Sequence, residues 1–343
     1  MSHPHATRPG RPPGLGPHCV GRRVVVRRVL HGESGPTGGP AFSDLLGVME
    51  SWGDGVTTVR AESGEATTIP LADIVSGKPV PPRPSVRLRV SADEAERRAN
   101  ASWPALVAEP LGEWLLRASD GFSSRANSCL AAGDPGVPFG DALERVAGFY
   151  RARGLPVWVQ VVVRSDVHPA LESAGWVPAR PGEADTHFQI GSVARSLRAA
   201  RGMLPPVVPP VVRTPTATPG WLANDERARS RPEAARAVLE GPDRVVFPTV
   251  AGAAGGNPIA KGRAGMATGS DWVGITDVWV SPTQRRQSLG VVVMADLLAW
   301  AAEQGATTAY LQTRGDNPAA LALYERLGLL THHEYRYLTP PRS

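Results

Sequence analysis

Between Val278 and Trp300 the chain reads VWVSPTQRRQSLGVVVMADLLAW. A β-type apolar run ends at Val280 and Ser281-Pro282 interrupts it; Leu289, Val293, Leu297 and Ala301 then recur every fourth residue, as on one face of a helix. A strand, an arginine-bearing turn and a helix N-terminus therefore follow one another. The first-turn N–H groups of a helix have no intrahelical acceptor and carry partial positive charge. With Arg285 and Arg286 adding full charges and Gly290 permitting close backbone approach, this segment suits a pyrophosphate.

A second segment bears on the same chemistry: Asn317-Pro318-Ala319-Ala320-Leu321-Ala322-Leu323-Tyr324-Glu325-Arg326-Leu327-Gly328. Asn317 before Pro318 is an N-cap followed by proline at the first helical position, and Gly328 is a C-cap. Tyr324 shares this helix with Leu323 and Leu327, so it can either pack in a core or present its hydroxyl to a site.

Together the two segments resemble the GNAT acyl-CoA-dependent N-acetyltransferases. The phosphate loop of that family runs Gln or Arg, two residues, Gly, one residue, then Gly or Ala. Here it reads Arg285-Arg286-Gln287-Ser288-Leu289-Gly290, with Ser288 in place of the first glycine. The resemblance implies that these six residues and Asn317 contact acetyl-CoA, with no metal required. It also implies that the strand from Gly274 to Val280 holds the pantetheine arm through the backbone of Val278 and Val280, and that Tyr324 protonates the departing thiolate. Many relatives carry an acidic base on that strand, which makes Asp277 the expected base; His332 and His333 are further candidates. The reaction implied is transfer of an acetyl group to a primary amine by direct attack in a ternary complex. The alternative is a non-catalytic GNAT-fold acyl-CoA sensor or scaffold, with a basic barrel contacting nucleic acid or a protein partner.

The elements that would position these residues follow from pattern. At 343 residues the chain exceeds one ordinary domain. Residues 1–17, rich in Pro, Gly, His and Arg, read as a disordered tail. Short β-type runs at 22–29, 47–50, 57–61 and 66–70, broken by Gly53-Asp54-Gly55 and Ser63-Gly64, suggest a small barrel over 18–80 that resembles an SH3-like fold. Arg22-Arg23 and Arg27-Arg28 point to opposite faces of a strand, read as a solvated edge. Lys78 to Pro84 is a stiff linker.

Strands and helices then alternate. The first block has strands at 86–90, 112–119, 126–132 and 156–163, with helices from Asp93 and over 139–152. The proline-rich run 203–219 is a linker or edge strand. The second block has helices at 232–240, 290–303 and 318–327 and strands at 244–250, 259–267, 272–280, 307–312 and 333–338. The blocks align as a repeat, Gly154 facing Gly305 and Gly175 facing Gly328. The expected fold is thus α/β (α+β): a tandem GNAT arrangement of a degenerate copy (81–202) and a catalytic copy (220–343). A looser resemblance, to actinobacterial-type tandem GNAT proteins, extends back to Gly21. In the first copy Leu171 stands where the second has Tyr324, and Gly133-Asp134-Pro135-Gly136-Val137-Pro138 offers no arginine, so this copy is expected not to catalyse.

A formal charge of +5 says that the surface attracts anions without choosing among them. Cys19 and Cys129 lack metal-ligand spacing and suggest a reduced compartment rather than a disulfide scaffold. Neither a secretory h-region nor a run of about 18 apolar residues is present, so a cytoplasmic protein is expected. The expected partners are acetyl-CoA and an amine; membrane and nucleic acid are not.

Overall fold

The computed structural model describes residues 14–34, 38–61, 63–80, 86–252 and 257–341. The chain forms two compact units, Met1–Pro84 and Ser85–Ser343. In the first, β1 (Arg23–Ser34), β2 (Pro40–Gly53), β3 (Val56–Ala61), β4 (Ala66–Pro70) and β5 (Ile74–Pro79) form one sheet of order β4-β3-β2-β1-β5. Val24, Val26, Met49, Val59 and Ile69 form its core, joined by Leu15 and Cys19. The strand expected at the edge is internal, since β1 pairs with both β2 and β5. Its Arg27 forms a two-pronged pair with Asp44, at 2.8 and 3.0 Å, across the β1–β2 ladder. Of the expected tail, residues 1–13 lie outside the described residues, as do 81–84 of the expected linker.

The second unit contains β6 (Val107–Leu111), β7 (Trp114–Ala118), β8 (Cys129–Ala131), β9 (Val159–Val162), β10 (Val177–Pro178), β11 (Thr186–Ser192), β12 (Val211–Thr214), β13 (Arg244–Val250), β14 (Ala260–Met266), β15 (Trp272–Val280), β16 (Thr308–Arg314) and β17 (Leu330–Thr339). Its helices are α1 (Ala92–Asn100), α2 (Phe139–Arg151), α3 (Val167–Ser173), α4 (Val193–Gly202), α5 (Pro219–Leu222), α6 (Glu226–Ser230), α7 (Pro232–Glu240), α8 (Leu289–Glu303) and α9 (Pro318–Arg326). Residues 86–90, expected as a strand, instead include a 3-10 turn at Val86–Arg89 that leads into α1. Arg87 of this turn donates from Nε to Thr308 Oγ1 at 3.0 Å, so the segment is fixed by side-chain contact rather than by a ladder.

All twelve strands join one sheet, ordered β12-β13-β14-β15-β16-β11-β17-β9-β8-β7-β6, with β10 beside β17. This order shows an exchange. The last long strand of the first block, β11, lies against β16 of the second, from Thr186↔Arg314 to Ser192↔Thr308. The last strand of the second block, β17, lies against β9 of the first, and β11 and β17 pair with each other at the centre.

Packing follows the exchange. Val193, Leu197 and Ala200 of α4 enter the core built on α8, while Leu338 of β17 enters the core built on α2. With α4 on its outer side, α8 is buried almost all round, which explains why LGVVVMADLLAWAAE is apolar beyond a single stripe. The first-block end and the second-block end also meet closely: a Cβ at Gly191 would lie 2.6 Å from the carbonyl oxygen of Gly328.

Leu338 is fully buried in the core of the other block. Leu338→Ala is therefore expected to destabilise the second unit by about 2–5 kcal/mol. Urea unfolding followed by far-UV dichroism checks this; a change below about 1 kcal/mol would count against the exchanged strand as a core element.

Candidate active site

The site begins where two parallel strands part. β15 and β16 pair from Trp272↔Thr308 to Ile275↔Leu311 and no further, although both strands continue. On its other edge β15 shifts register against β14 between Arg263↔Thr276 and Lys261↔Trp279, and within that shift Asp277 adopts φ +53°. This bulge turns the rest of β15 away and leaves the backbone of 276–280 without a ladder partner on the β16 side. The gap is a cleft of about 320 Å³ lined by Thr276, Asp277, Val278, Gln312, Asn317 and Tyr324, among others.

Beyond Val280 the turn at Pro282–Gln284 leads to Arg285 and Arg286, both exposed, and to Ser288, which precedes α8. Arg286 and Ser288 have φ of +65° and +59°, in the left-handed region, so the backbone turns sharply on its way into α8. The Ser288 side chain does not cap the helix. Its carbonyl accepts from the N–H groups of Val291 and Val292, at 2.9 and 3.1 Å, while Leu289 and Gly290 occupy the first turn. A Cβ at Gly290 would meet Leu323 and Val280 at ordinary contact distances of 3.5 and 3.9 Å, so the protein's own packing does not require glycine there. The loop 285–290 contains two cations, two left-handed residues and no carboxylate, a donor set that fits a pyrophosphate.

Asn317 caps α9, accepting from the N–H of Ala320 at 3.2 Å, and Pro318 follows at the first helical position. Tyr324 is 7% exposed, held by the α8 core on one side and lining the cleft on the other. Of the five tyrosines, Tyr150, Tyr310 and Tyr335 donate to Arg117 O, Ala99 O and Gln312 Oε1, and Tyr337 bonds to Tyr335. Tyr324 alone has no hydrogen-bond partner among the described residues. Burial pushes its hydroxyl up to about 12.

Asp277 is held rigidly. Its Oδ1 accepts from Arg227 of α6 at 2.8 Å, and the same guanidinium nitrogen bonds Asp225 Oδ2 at 2.8 Å. Asp225 also caps α6 through the N–H groups of Arg227 and Ala228. Burial raises the Asp225 carboxyl, but the hydrogen bonds and charge of Arg227 outweigh it and hold the group below the usual carboxylate range. Asp277 Oδ2 is buried without a partner.

His332 and His333 do not line this cleft. His332 Nε2 lies 2.8 Å from Val90 O, its Nδ1 lies 2.7 Å from His333 Nδ1, and His333 Nε2 lies 3.0 Å from Glu96 Oε1. Since a carbonyl only accepts, His332 carries its proton on Nε2, which makes its Nδ1 the acceptor for His333 in the neutral ring. Burial and the neighbouring His333 both lower the pKa of His332.

Sequence reading did not single out Arg227, Gln312, Lys261 or Arg263. Lys261 and Arg263 did leave a signal, two cations at i and i+2 in the otherwise apolar, fully buried strand AKGRAGM. Lys261 donates to Trp221 O at 2.6 Å, and Arg263 bonds Leu239 O, Ser102 O and Thr276 Oγ1. A left-handed conformation costs a residue with a Cβ about 1–2 kcal/mol. Ser288→Gly should therefore leave the protein at least as stable as it is, and more stable than Ser288→Ala by roughly 1 kcal/mol. Thermal melts of the two variants decide this; equal melting temperatures would remove the strain assigned to position 288.

Comparison with known proteins agrees with this geometry. A GCN5-related N-acetyltransferase from Kribbella flavida superposes with a TM-score of 0.50 at 18% identity, covering 74% of this chain and 96% of that one. A tandem GNAT protein from the clavulanic acid biosynthesis pathway gives 0.50 at 14% identity, over 63% and 76%. These establish the fold. In sequence, the uncharacterized N-acetyltransferase YobR of Bacillus subtilis is 27% identical over 249 residues, 70% of this chain and 96% of its own. The probable histone acetyltransferase Rv0428c of Mycobacterium tuberculosis is 27% identical over 324 residues, 93% and 95% of the two chains. Residues 92–338 match the family described as "Probable histone acetyltransferase Rv0428c C-terminal", and because this is well over half of the 343 residues, the chain belongs to that family of GNAT-type acetyltransferases.

Proposed function

We propose that this acetyltransferase takes its acetyl group from acetyl-CoA and transfers it to a primary amine by direct attack in a ternary complex. The observation that carries the reading is Tyr324, a buried side chain that lines the cleft between the parted strands and whose hydroxyl has no hydrogen-bond partner among the described residues. Acetyl-CoA supplies an activated acyl group on a thioester. The loop Arg285–Gly290 binds the diphosphate through its cations and the free N–H groups of the first turn of α8, and Asn317 holds the adjoining end of the cleft. The backbone at Val278 and Val280, without a ladder partner on the β16 side, lies along the pantetheine arm. Asp277 Oδ2 receives the proton that the amine gives up on attack, and Tyr324 donates its proton to the sulfur as the C–S bond breaks. With its pKa raised to about 12, Tyr324 keeps that proton throughout the neutral range.

The first copy serves differently. Before α2, the N–H of Asp134 is bound by Glu113 Oε2 and that of Gly136 by Asp134 Oδ1, each at 2.7 Å. Two carboxylates thus occupy donors in the loop that corresponds to Arg285–Gly290, and Leu171 is fully buried where a proton donor would stand. Residues 81–202 are in this reading a non-catalytic copy, 220–343 the catalytic one, 203–219 the connection that supplies edge strand β12, and 18–80 an SH3-like barrel. Cys19 and Cys129, both free and buried, suit a reducing compartment such as the cytoplasm.

Calorimetry should find one CoA per chain, with affinity falling more than about tenfold in the Arg285→Ala, Arg286→Ala double variant, since charge-assisted bonds are lost. Two equivalents, or unchanged affinity, would overturn the assignment. Tyr324→Phe should lower kcat by about 10- to 1,000-fold with CoA affinity and melting temperature nearly unchanged. The wild-type protein should show no alkaline loss of kcat from Tyr324 below about pH 10, because its raised pKa leaves the donor form dominant there. Full activity with a lowered melting temperature would return Tyr324 to a packing role.

A further inference from the structure

The geometry points to a carboxylate-binding subsite at Arg125, and hence to an acceptor amine that carries its own carboxylate, as an amino acid does. This deepens the acetyl-transfer reading and rests on it. Arg125 stands in the loop between β7 and β8, which is fixed by one buried side chain. Asn127 Oδ1 accepts from the N–H groups of Ser119 and Gly121, and its Nδ2 donates to Phe122 O and Ser123 O. The Arg125 guanidinium lies over the Trp103 ring, 5.3 Å from its centroid, with the indole held by a 3.0 Å bond to Ser123 Oγ. Its Nε is buried with no partner, while the residue as a whole is partly exposed. Among the described residues the guanidinium makes neither an ion pair nor a hydrogen bond.

This arginine belongs to the same face as the cleft. The Arg263 guanidinium also lies over Trp103, at 5.0 Å, and bonds Thr276 Oγ1 at 3.3 Å, next to Asp277. Tyr335 Oη, within electrostatic reach of Arg125, donates to Gln312 on the cleft wall. Two carboxylates share this region with the cations: Glu96 lies within electrostatic reach of Arg117 and Arg125, and Asp277 within reach of Arg263. Arg117 and Arg263, 1% and 0% exposed, hydrogen-bond neutral groups: Ser128, Asn100 and Gln160 for one, Leu239 O, Ser102 O and Thr276 for the other.

A polar group enclosed without an acceptor is costly, so a preorganised arginine left open calls for a ligand that completes it. A planar guanidinium matches a carboxylate in two parallel bonds, and a single arginine balances one negative charge. Asp277 Oδ2, another of the six buried side-chain atoms without a hydrogen-bond partner among the described residues and the one that lies in the cleft, suits the amine at the other end. The first copy would thereby select the acceptor while the second transfers the acetyl group.

The test uses the full chain, with and without CoA, and matched pairs of amines: amino acids against their carboxamides, with O-phosphoethanolamine as the phosphate arm. Calorimetric affinity, and KM in acetyl-CoA turnover, should favour the free acids by more than about tenfold. Arg125→Gln should bring the acid-to-carboxamide ratio close to one, and Arg125→Lys should restore part of it. CoA affinity serves as the measure of folding in both variants. Equal handling of acids and carboxamides, no binding by any acid, a preference that survives Arg125→Gln, or tighter binding of the phosphate compound would each overturn the subsite. Turnover confined to neutral amines or to lysine within peptides would overturn the subsite alone. Failure of the wild-type protein to bind CoA would instead overturn the acetyl-transfer reading.

Discussion

The second unit depends on two antiparallel ladders, β11 on β16 and β17 on β9, which trade the last strand of each block into the other. Because β11 covers one edge of β16 along its whole length, β16 stays in place while β15 bends away from its opposite edge at the Asp277 bulge. The cleft is therefore a property of the whole sheet. It also explains why residues 85–343 form one compact unit despite being built from two blocks: each core holds side chains from the other block.

Much of this was legible along the chain. The helices 232–240 and 318–327 and the strands 244–250 and 272–280 lie within a residue of their expected limits, because burial periodicity and capping by Asn317-Pro318 are local. The Arg285–Gly290 turn was visible as basic residues between a strand and a helix, but its left-handed backbone was not, since Arg286 and Ser288 are not glycine. The exchange could not be read, because periodicity identifies a strand's buried faces and says nothing of which edge it joins. Helix α4 was missed for a related reason: VARSLRAARG carries only two apolar residues larger than alanine, and its partner, α8, lies far along the chain. Residues 86–90 alternate as a strand does, yet Arg87 reaches Thr308 and the segment is a turn. Arg125 gave no signal among so many arginines; its position over the Trp103 ring with a buried, unpartnered Nε is visible only in three dimensions.

The buried polar groups sort by how completely they are met. Glu96 bonds His333, Gln160 and Gln312, and so anchors α1 to the centre of the sheet with every contact defined. Arg263 is also fully engaged, although burial brings it down to about 10. Groups of this kind fix the relative placement of elements. Asp277 Oδ2 and Arg125 Nε, two of the six buried side-chain atoms without a partner among the described residues, and the Tyr324 hydroxyl at the cleft are the contrast, each left with capacity to bond something the chain does not provide.

The exchanged strands also govern how the protein can be made. On a ribosome, β9 emerges about 170 residues before β17 does, and at about 5–20 residues per second this is a wait of roughly 10–30 seconds. Throughout it the nascent first block shows an open strand edge flanked by Val159, Val161 and Val162, all of which end up buried, and such an edge invites pairing with neighbouring chains. Yield in cells is thus set by how this half-built sheet is shielded during translation, and slow elongation over the second block is the condition under which aggregation should be worst.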